Sequence, residues 1–315
     1  MNCTQCDSDK TKKFGKDRKS HQRFRCLACN ATFQAAQHKP LGDMLLPMEK
    51  ALLALELLVE GNSVRSTARI TKIHHATVLA LLETVGEKCI ALLDEMIVDV
   101  PVRNVQCDEI WGFVEMKEKT KKLNSKESDE SIGDAWCFIA LEQNTKLALA
   151  WHLGRRTAAD TSIFTEKLAR ATSGNFQINT DGFKPYREAI TDSLGERVDF
   201  AQIIKIFGKP EGEDYRFSPP QVVEIKKVAV IGNPDMDMAT TSHVERQNLT
   251  VRMGMRRMTR LTNGFSKKWA NLNYAYALQF AYYNFCRIHS TIRVTPAMEA
   301  GITNRLWSLE NLLNR

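Results

Sequence analysis

Apolar positions recur at helical spacing from Pro47 to Val59, break at Gly61, resume through Val64, Thr67, Ala68 and Ile70, and return from Ala76 to Val85. Residues three and four apart share one face of a helix, so the pattern predicts three short helices. Pro47 suits a first helical turn, Gly61 a stop, and Ser63 a cap for the second helix. From Val102 onward the period shortens to two. Val105–Val114, Ala135–Leu141 and Lys146–Leu153 read as strands of an antiparallel meander, with a turn at Gln143, Asn144 and Thr145 and a solvated loop at Lys117–Ser131. A helix at Ala158–Ala171, a strand at Phe176–Thr180, a helix at Pro185–Ile190 and a strand at Val198–Phe207 follow. Strands that give way to alternating helices and strands define an α/β domain.

The 315 residues suggest about two domains plus small accessories. With 43% hydrophobic and 26% charged residues, the composition supports a sizeable core and excludes wholesale disorder. No run approaches the ~20 apolar residues of a membrane span. Ala51–Val59 carries Glu56, and Met1–Lys13 is too polar for a signal peptide, so a cytoplasmic protein without membrane partners is expected. The net charge of +7 is unevenly spread: residues 1–40 and 245–270 each carry +6, around an acidic middle. Phosphate backbones are a common reason for such islands, although a solvated surface run looks alike.

Two CxxC pairs, Cys3/Cys6 and Cys26/Cys29, stand in the first island. Such pairs can close a tetrahedral Zn²⁺ site that replaces a core in a segment too small to build one, which predicts a zinc ribbon over residues 1–39. His21 and His38 are alternative ligands, but four thiolates already saturate the metal. Lys12, Lys13, Lys16, Arg18, Lys19, Arg23 and Arg25, interleaved with Phe14 and Phe24, make the ribbon a candidate DNA grip. The helices within residues 40–99 read as a helix-turn-helix whose third member offers His75 and Thr77 to the major groove. Against this, Lys72 occupies the turn and the reading helix lacks Arg and Asn; a plain dimerisation segment is the alternative.

Carboxylates fall at informative places. Asp108 lies inside an apolar strand, Asp181 ends the next inner strand and Glu245 opens a basic helix. An acid in a strand core is costly unless paired or bound to a cation. Each also has a plain structural role available: a salt-bridged core acid, a turn residue, a first-turn helix charge. Period two sets Asp108 and Glu109 on opposite faces, so one of them looks into the site, and periodicity does not choose between them. Arg252 follows Glu245 by seven residues, on the same helical face, with Arg256 beyond. Trp111, Phe113, Trp136 and Trp151 read as core.

The stretches DEIWGFV (Asp108–Val114), NTDGFKPY (Asn179–Tyr186) and HVERQNLTVRMGMRRMTRLTNGFSKK (His243–Lys268) resemble those of IS1-type insertion-sequence transposases, which belong to the DDE group with an RNase H-like catalytic core. The tail Tyr283–Gly301 resembles the end segment of many transposase and integrase domains. The resemblance implies an RNase H-like α/β core over residues 100–270, a mixed sheet flanked by helices, with a helical tail at 271–315. It implies that Asp108, Asp181 and Glu245 hold Mg²⁺ or Mn²⁺ and that Arg252 is the accompanying basic residue of the catalytic site. It also implies cleavage and joining of DNA at terminal inverted repeats, with Arg246, Arg256, Arg257, Arg260, Lys267 and Lys268 on DNA. At least two protomers would act on nucleoid DNA of a bacterial cytoplasm. An insertion at 208–242, with Pro219, Pro220 and a strand-like run Val222–Ile231, departs from the shorter members, and His243 and Asn248 flank the glutamate as candidate assistants. Tyr282 and Tyr283 raise a tyrosine-recombinase reading, but no Arg-His-Arg framework accompanies them. The competing functions are a nuclease of the same core that never joins strands, and a zinc-dependent regulator whose α/β domain is only a scaffold.

Overall fold

The computed structural model describes residues 1–18, 20–34, 39–126, 128–208 and 221–315; Lys19, His38, Pro219 and Pro220 lie outside them. The chain divides into two compact units, the first Met1–Asp43 and the second taking in Met44–Leu313. In the first, β1 (Thr11–Lys16), β2 (Gln22–Cys26) and β3 (Thr32–Gln34) form an antiparallel meander. Its buried hydrophobic side chains, among the described residues, are only Cys3, Cys26 and Leu41.

The second unit opens with α1 (Met48–Val59), α2 (Val64–Thr71) and α3 (His75–Met96). The Ser63 hydroxyl caps α2 by accepting from the Ser66 N–H at 3.0 Å. Lys72 closes α2 in the left-handed conformation, φ 58°, so it takes the backbone shape that a glycine adopts most cheaply. A short parallel pair, β4 (Val100–Pro101) and β8 (Thr172–Ser173), lies beside a six-stranded mixed sheet. That sheet has β5 (Asn104–Val114), β6 (Gly133–Glu142) and β7 (Ala148–Gly154) as an antiparallel meander. Across β5 it continues in parallel through β9 (Phe176–Asp181) and β10 (Val198–Gly208), and β11 (Gln221–Ile231) closes the edge antiparallel to β10. The strand-like run of the expected insertion is thus an added edge strand. The expected loop at Lys117–Ser131 contains a short helix, α4 (Glu118–Leu123), on which Lys121 is buried.

Helices cover both faces. On one, α5 (Ala158–Ala171) and α6 (Pro185–Leu194) return the chain between parallel strands, and Phe138 of β6 meets Phe164 of α5 and Tyr186 of α6 at 5.6 and 6.4 Å between ring centroids. On the other lie α7 (Ser242–Gly254) and α8 (Trp269–Ala281), where Trp151 of β7 meets Tyr276 and Phe280 at 6.1 and 5.6 Å. Short helices α9 (Pro296–Glu299) and α10 (Leu309–Leu313) finish the chain. Alternation along β6 and β7 dictates this layering, because successive side chains leave a strand toward opposite helical layers. Gly86 lets α3 lie directly on α8: a Cβ there would come within 2.5 Å of the Tyr274 Cβ. No helix of the described residues is long and apolar enough to cross a membrane.

Candidate metal centres

All four ribbon cysteines converge. The Sγ atoms of Cys3 and Cys29 lie 3.6 Å apart, as do those of Cys6 and Cys26, and one Sγ from each residue falls within 4.8 Å of the rest. A disulfide needs about 2.05 Å. Tetrahedral zinc at ~2.3 Å from each sulfur sets sulfurs roughly 3.8 Å apart, which these residues match. Backbone N–H groups of Gln5 and Ala28 donate to Cys3 and Cys26 at 3.4 Å, as suits thiolate ligands. The N–H of Cys29 leads the causes that lower the Cys26 thiol to about 6, against the opposing effect of burial. Around this knot Lys12, Lys13, Lys16 and Arg18 are exposed, while Arg23 and Arg25 stack on Phe14 at 5.8 and 5.6 Å.

A second centre forms where β9 ends beside β5. Oxygens of Asp108, Glu109 and Asp181 lie within 4.8 Å of one another. The expectation that only one of Asp108 and Glu109 reaches the site is thereby corrected. Their register partners confirm opposite faces: Asp108 pairs with Ile139, and Glu109 with Phe138. Pairing of β9 with β5 stops at Cys107 and Thr180, however, so no strand lies beside β5 at Asp108 and Glu109 until Val114 bridges to Ser266. Side chains from both faces of β5 reach around its edge to Asp181.

Each acid has its own support. Asn248 of α7 donates to Asp108 Oδ2 at 2.8 Å. Buried Gln106 of β5 fixes the start of α7, its Oε1 accepting from the backbone N–H groups of His243 and Val244. On the other face Arg156 donates from Nε to Glu109 Oε2 at 3.1 Å and brings Nη2 to 3.7 Å from Asp181 Oδ2. Its guanidinium lies between Trp136 and Phe183, 4.9 and 4.2 Å from the ring centroids. Asp181 Oδ1 also accepts from the Phe183 N–H at 2.9 Å, so the acid shapes the turn that it ends. Trp111, Phe113, Trp136 and Trp151, read as core, are all half-buried. Tyr283 is buried and donates to the Lys146 carbonyl at 2.9 Å, which leaves its hydroxyl no access to DNA.

Crowding sets the electrostatics. Burial, and then the charge of Asp181, raise Asp108 to about 7, with Glu245 adding to the rise. Burial and Asp181 likewise raise Glu109 to about 7. Glu109 Oε1 is buried beside the equally buried Tyr186 hydroxyl, which tempers the rise. Buried carboxylate oxygens gathered into an all-oxygen cluster fit a hard divalent cation such as Mg²⁺ or Mn²⁺.

Glu245 and Arg252 are placed differently from their expected roles. Glu245 is near enough to raise Asp108, but it stands outside the 4.8 Å group. Its Oε1 accepts from Lys205 Nζ and, at 2.6 Å, from the Thr241 hydroxyl. Arg252 donates to the carbonyls of Met258 and Trp111 at 2.8 and 3.1 Å, tying the chain after α7 to β5. Helix α7 stops at Gly254, so Arg256, Arg257 and Arg260 lie beyond it rather than on its face. Arg246, Arg256, Arg260, Lys267, Lys268 and His75 are exposed; Arg257 and Thr77 are half-buried. Arg156 and Lys205 were not singled out by pattern, whereas Glu109 was weighed only as the alternative to Asp108. Of the first two, Lys205 alone left a signal, a lysine inside an apolar strand.

The chain thus carries a four-cysteine cluster that could hold zinc and, on its mixed sheet, an acid cluster that could hold a divalent metal. No protein-family model matches it. The insertion element iso-IS1N protein InsA of Shigella dysenteriae is 34% identical over 83 residues, 26% of this chain and 88% of that protein. Through that segment the chain belongs to the family of this insertion-element protein, and the rest of its length lies outside the match.

Proposed function

We propose that this protein is a DNA transposase of an insertion sequence, a metal-dependent phosphoryl transferase with an RNase H-like core. The observation that carries this reading is the meeting of Asp108 and Asp181, on adjacent parallel strands, with Glu109 in one oxygen cluster. The sheet supports it: a three-stranded meander extended in parallel by two strands, with the acids at the central junction. Membership in an insertion-element family supports the biological setting. Bound to these oxygens, Mg²⁺ or Mn²⁺ would polarise the scissile phosphate and stabilise charge on the attacking and leaving oxygens.

The chain's own residues supply the geometry. Asn248 orients Asp108, and Arg156 holds Glu109 and Asp181 against mutual repulsion. Lys205 and Thr241 hold Glu245 beside the cluster, near enough for its charge to add to the rise at Asp108. The four-cysteine unit and the helical segment bind the terminal inverted repeats, with zinc as the structural metal of the former. Joining two ends to a target calls for at least two protomers.

The test is Mg²⁺-dependent cleavage and strand transfer on DNA carrying the element ends. Asp181→Asn should lower cleavage by more than the roughly 100-fold that loss of an outer-shell partner costs, while end binding persists. Cleavage that survives in this variant rejects the mechanism. Cleavage without joining in the wild type identifies a nuclease, and binding without cleavage a regulator.

A further inference from the structure

The second unit holds a cleft of about 760 Å³ that none of the acids touches. One wall is α2 with the first turn of α3, and the other is the segment from Met255 to Lys267 with α8. Arg65 and Arg69 line the first wall one helical turn apart, and Arg256 and Lys267 line the second. Among the described residues no Asp or Glu lines it. Arg65, Arg69 and Arg256 are exposed and form no ion pair with any described residue. Deeper, Arg257 donates only to neutral oxygens, Ser266 Oγ and the Asn271 carbonyl, and burial lowers it to about 10, so it stays charged at neutral pH. A half-buried guanidinium without an anion calls for one from outside.

The floor is of the opposite character. Half-buried Leu79 lines it above the buried Leu82 and Leu278, and Leu261 stands wholly in solvent at a backbone φ of 55°. A double helix shows a cleft its phosphates and sugars and would leave this apolar surface without a partner. An unpaired strand offers phosphates to the arginines and base faces to Leu79 and Leu261, while the Phe265 ring is already covered by Lys267 at 3.7 Å. The volume falls in the range of small-ligand pockets, room for a few nucleotides rather than a length of duplex. We infer that this cleft binds an unpaired segment of DNA, with phosphates on Arg65, Arg69 and Arg256 and bases against the apolar floor. Leu261 stands where it can wedge beside the last base pair. This rests on the reading of the protein as a DNA-processing enzyme, and it names the strand form that the enzyme holds.

The experiment measures binding of the full chain to three probes: a 12-mer oligothymidylate, a blunt duplex, and the same duplex with a four-nucleotide overhang carrying 2-aminopurine. Overhang DNA should bind more tightly than blunt duplex, with a change in 2-aminopurine fluorescence. R65A/R69A should erase the difference and weaken the oligothymidylate at least 10-fold. Two lost phosphate contacts should also flatten the salt slope by about 1.4, at ~0.7 for each contact on a single strand. Leu261→Ser should reduce the fluorescence change while leaving the salt slope as it was. Equal weakening of duplex and oligothymidylate would overturn the inference, as would undiminished oligothymidylate binding in R65A/R69A or equal competition by a polyglutamate peptide. In each of those cases DNA binding itself persists and the proposed function stands. A wild-type chain that binds none of the probes would overturn the inference, and the proposed function falls with it only if DNA carrying the element ends is neither bound nor cleaved.

Discussion

Asp108 and Glu109 hold their protons to about pH 7 because burial and the neighbouring Asp181 disfavour a second and third charge. In the unfolded chain the same groups release protons near their ordinary values of 3.8 and 4.5. Between about pH 4 and 7 the native state therefore binds more protons than the unfolded one, and stability falls as pH rises through that window. In magnesium-free buffer the wild type should lose stability relative to D108N/E109Q between pH 5 and 8, by on the order of a few kcal/mol. Millimolar Mg²⁺ should restore much of it at pH 8. Thermal melts of the two proteins across this range check the sign, and a constant difference between them would count against the crowded cluster. Asp108 and Asp181 were legible because an acid in or ending an apolar strand is conspicuous. Arg156 was not, since it is 47 residues from Glu109 and meets it only through the sheet. Arg252 shows the converse: helical spacing placed it on the face of Glu245, but the carbonyls that hold it come from β5 and the chain beyond α7.

Elements were readable where one periodicity ran undisturbed, as along α5, whose observed bounds match the reading from Ala158 to Ala171. Helix α3 was read to stop at Val85, but it continues through Gly86 to Met96. Gly86 is not a stop here; it is the point of closest approach to α8, and contact between helices distant in sequence leaves no local trace. Gly61 has a related role. Its φ is 78°, and a Cβ would sit 2.4 Å from the Met253 carbonyl, so α1 can end against α7 only with glycine there. Gly86→Ala should push α3 from α8 and cost roughly 1–3 kcal/mol, the usual range for overpacking. Urea denaturation should show a lower midpoint with an unchanged slope. A variant as stable as the wild type would mean that the two helices separate without strain. The edge strand β11 was legible as a strand-like run, but only pairing with β10 shows that it enlarges the sheet.

At the scale of the whole molecule the two units owe their folds to different physics. The second has a conventional core, with Phe138, Phe164, Tyr186 and Phe280 fully buried between sheet and helices. Among its described residues the first buries only Cys3, Cys26 and Leu41 of its hydrophobic side chains, and an apolar interior of that size cannot offset the entropy of ordering some forty residues. Zinc on Cys3, Cys6, Cys26 and Cys29 would supply the difference, since structural zinc contributes on the order of 10 kcal/mol or more near neutral pH. Removing zinc with a strong chelator should therefore unfold Met1–Asp43 alone. Trypsin should then cut the full chain quickly among Lys10, Lys12, Lys13 and Lys16, while the second unit keeps its cooperative thermal transition. Cys26→Ser should behave likewise without chelator, and added zinc should not rescue it. Mass spectrometry of the digests distinguishes the outcomes: an N-terminal region that resists trypsin in metal-free protein would show that its strands hold by themselves. If the prediction holds, DNA affinity should fall with zinc loss, because Lys12, Lys13 and Lys16 would no longer be held on one ordered strand, whereas Mg²⁺ binding at Asp108, Glu109 and Asp181 should persist.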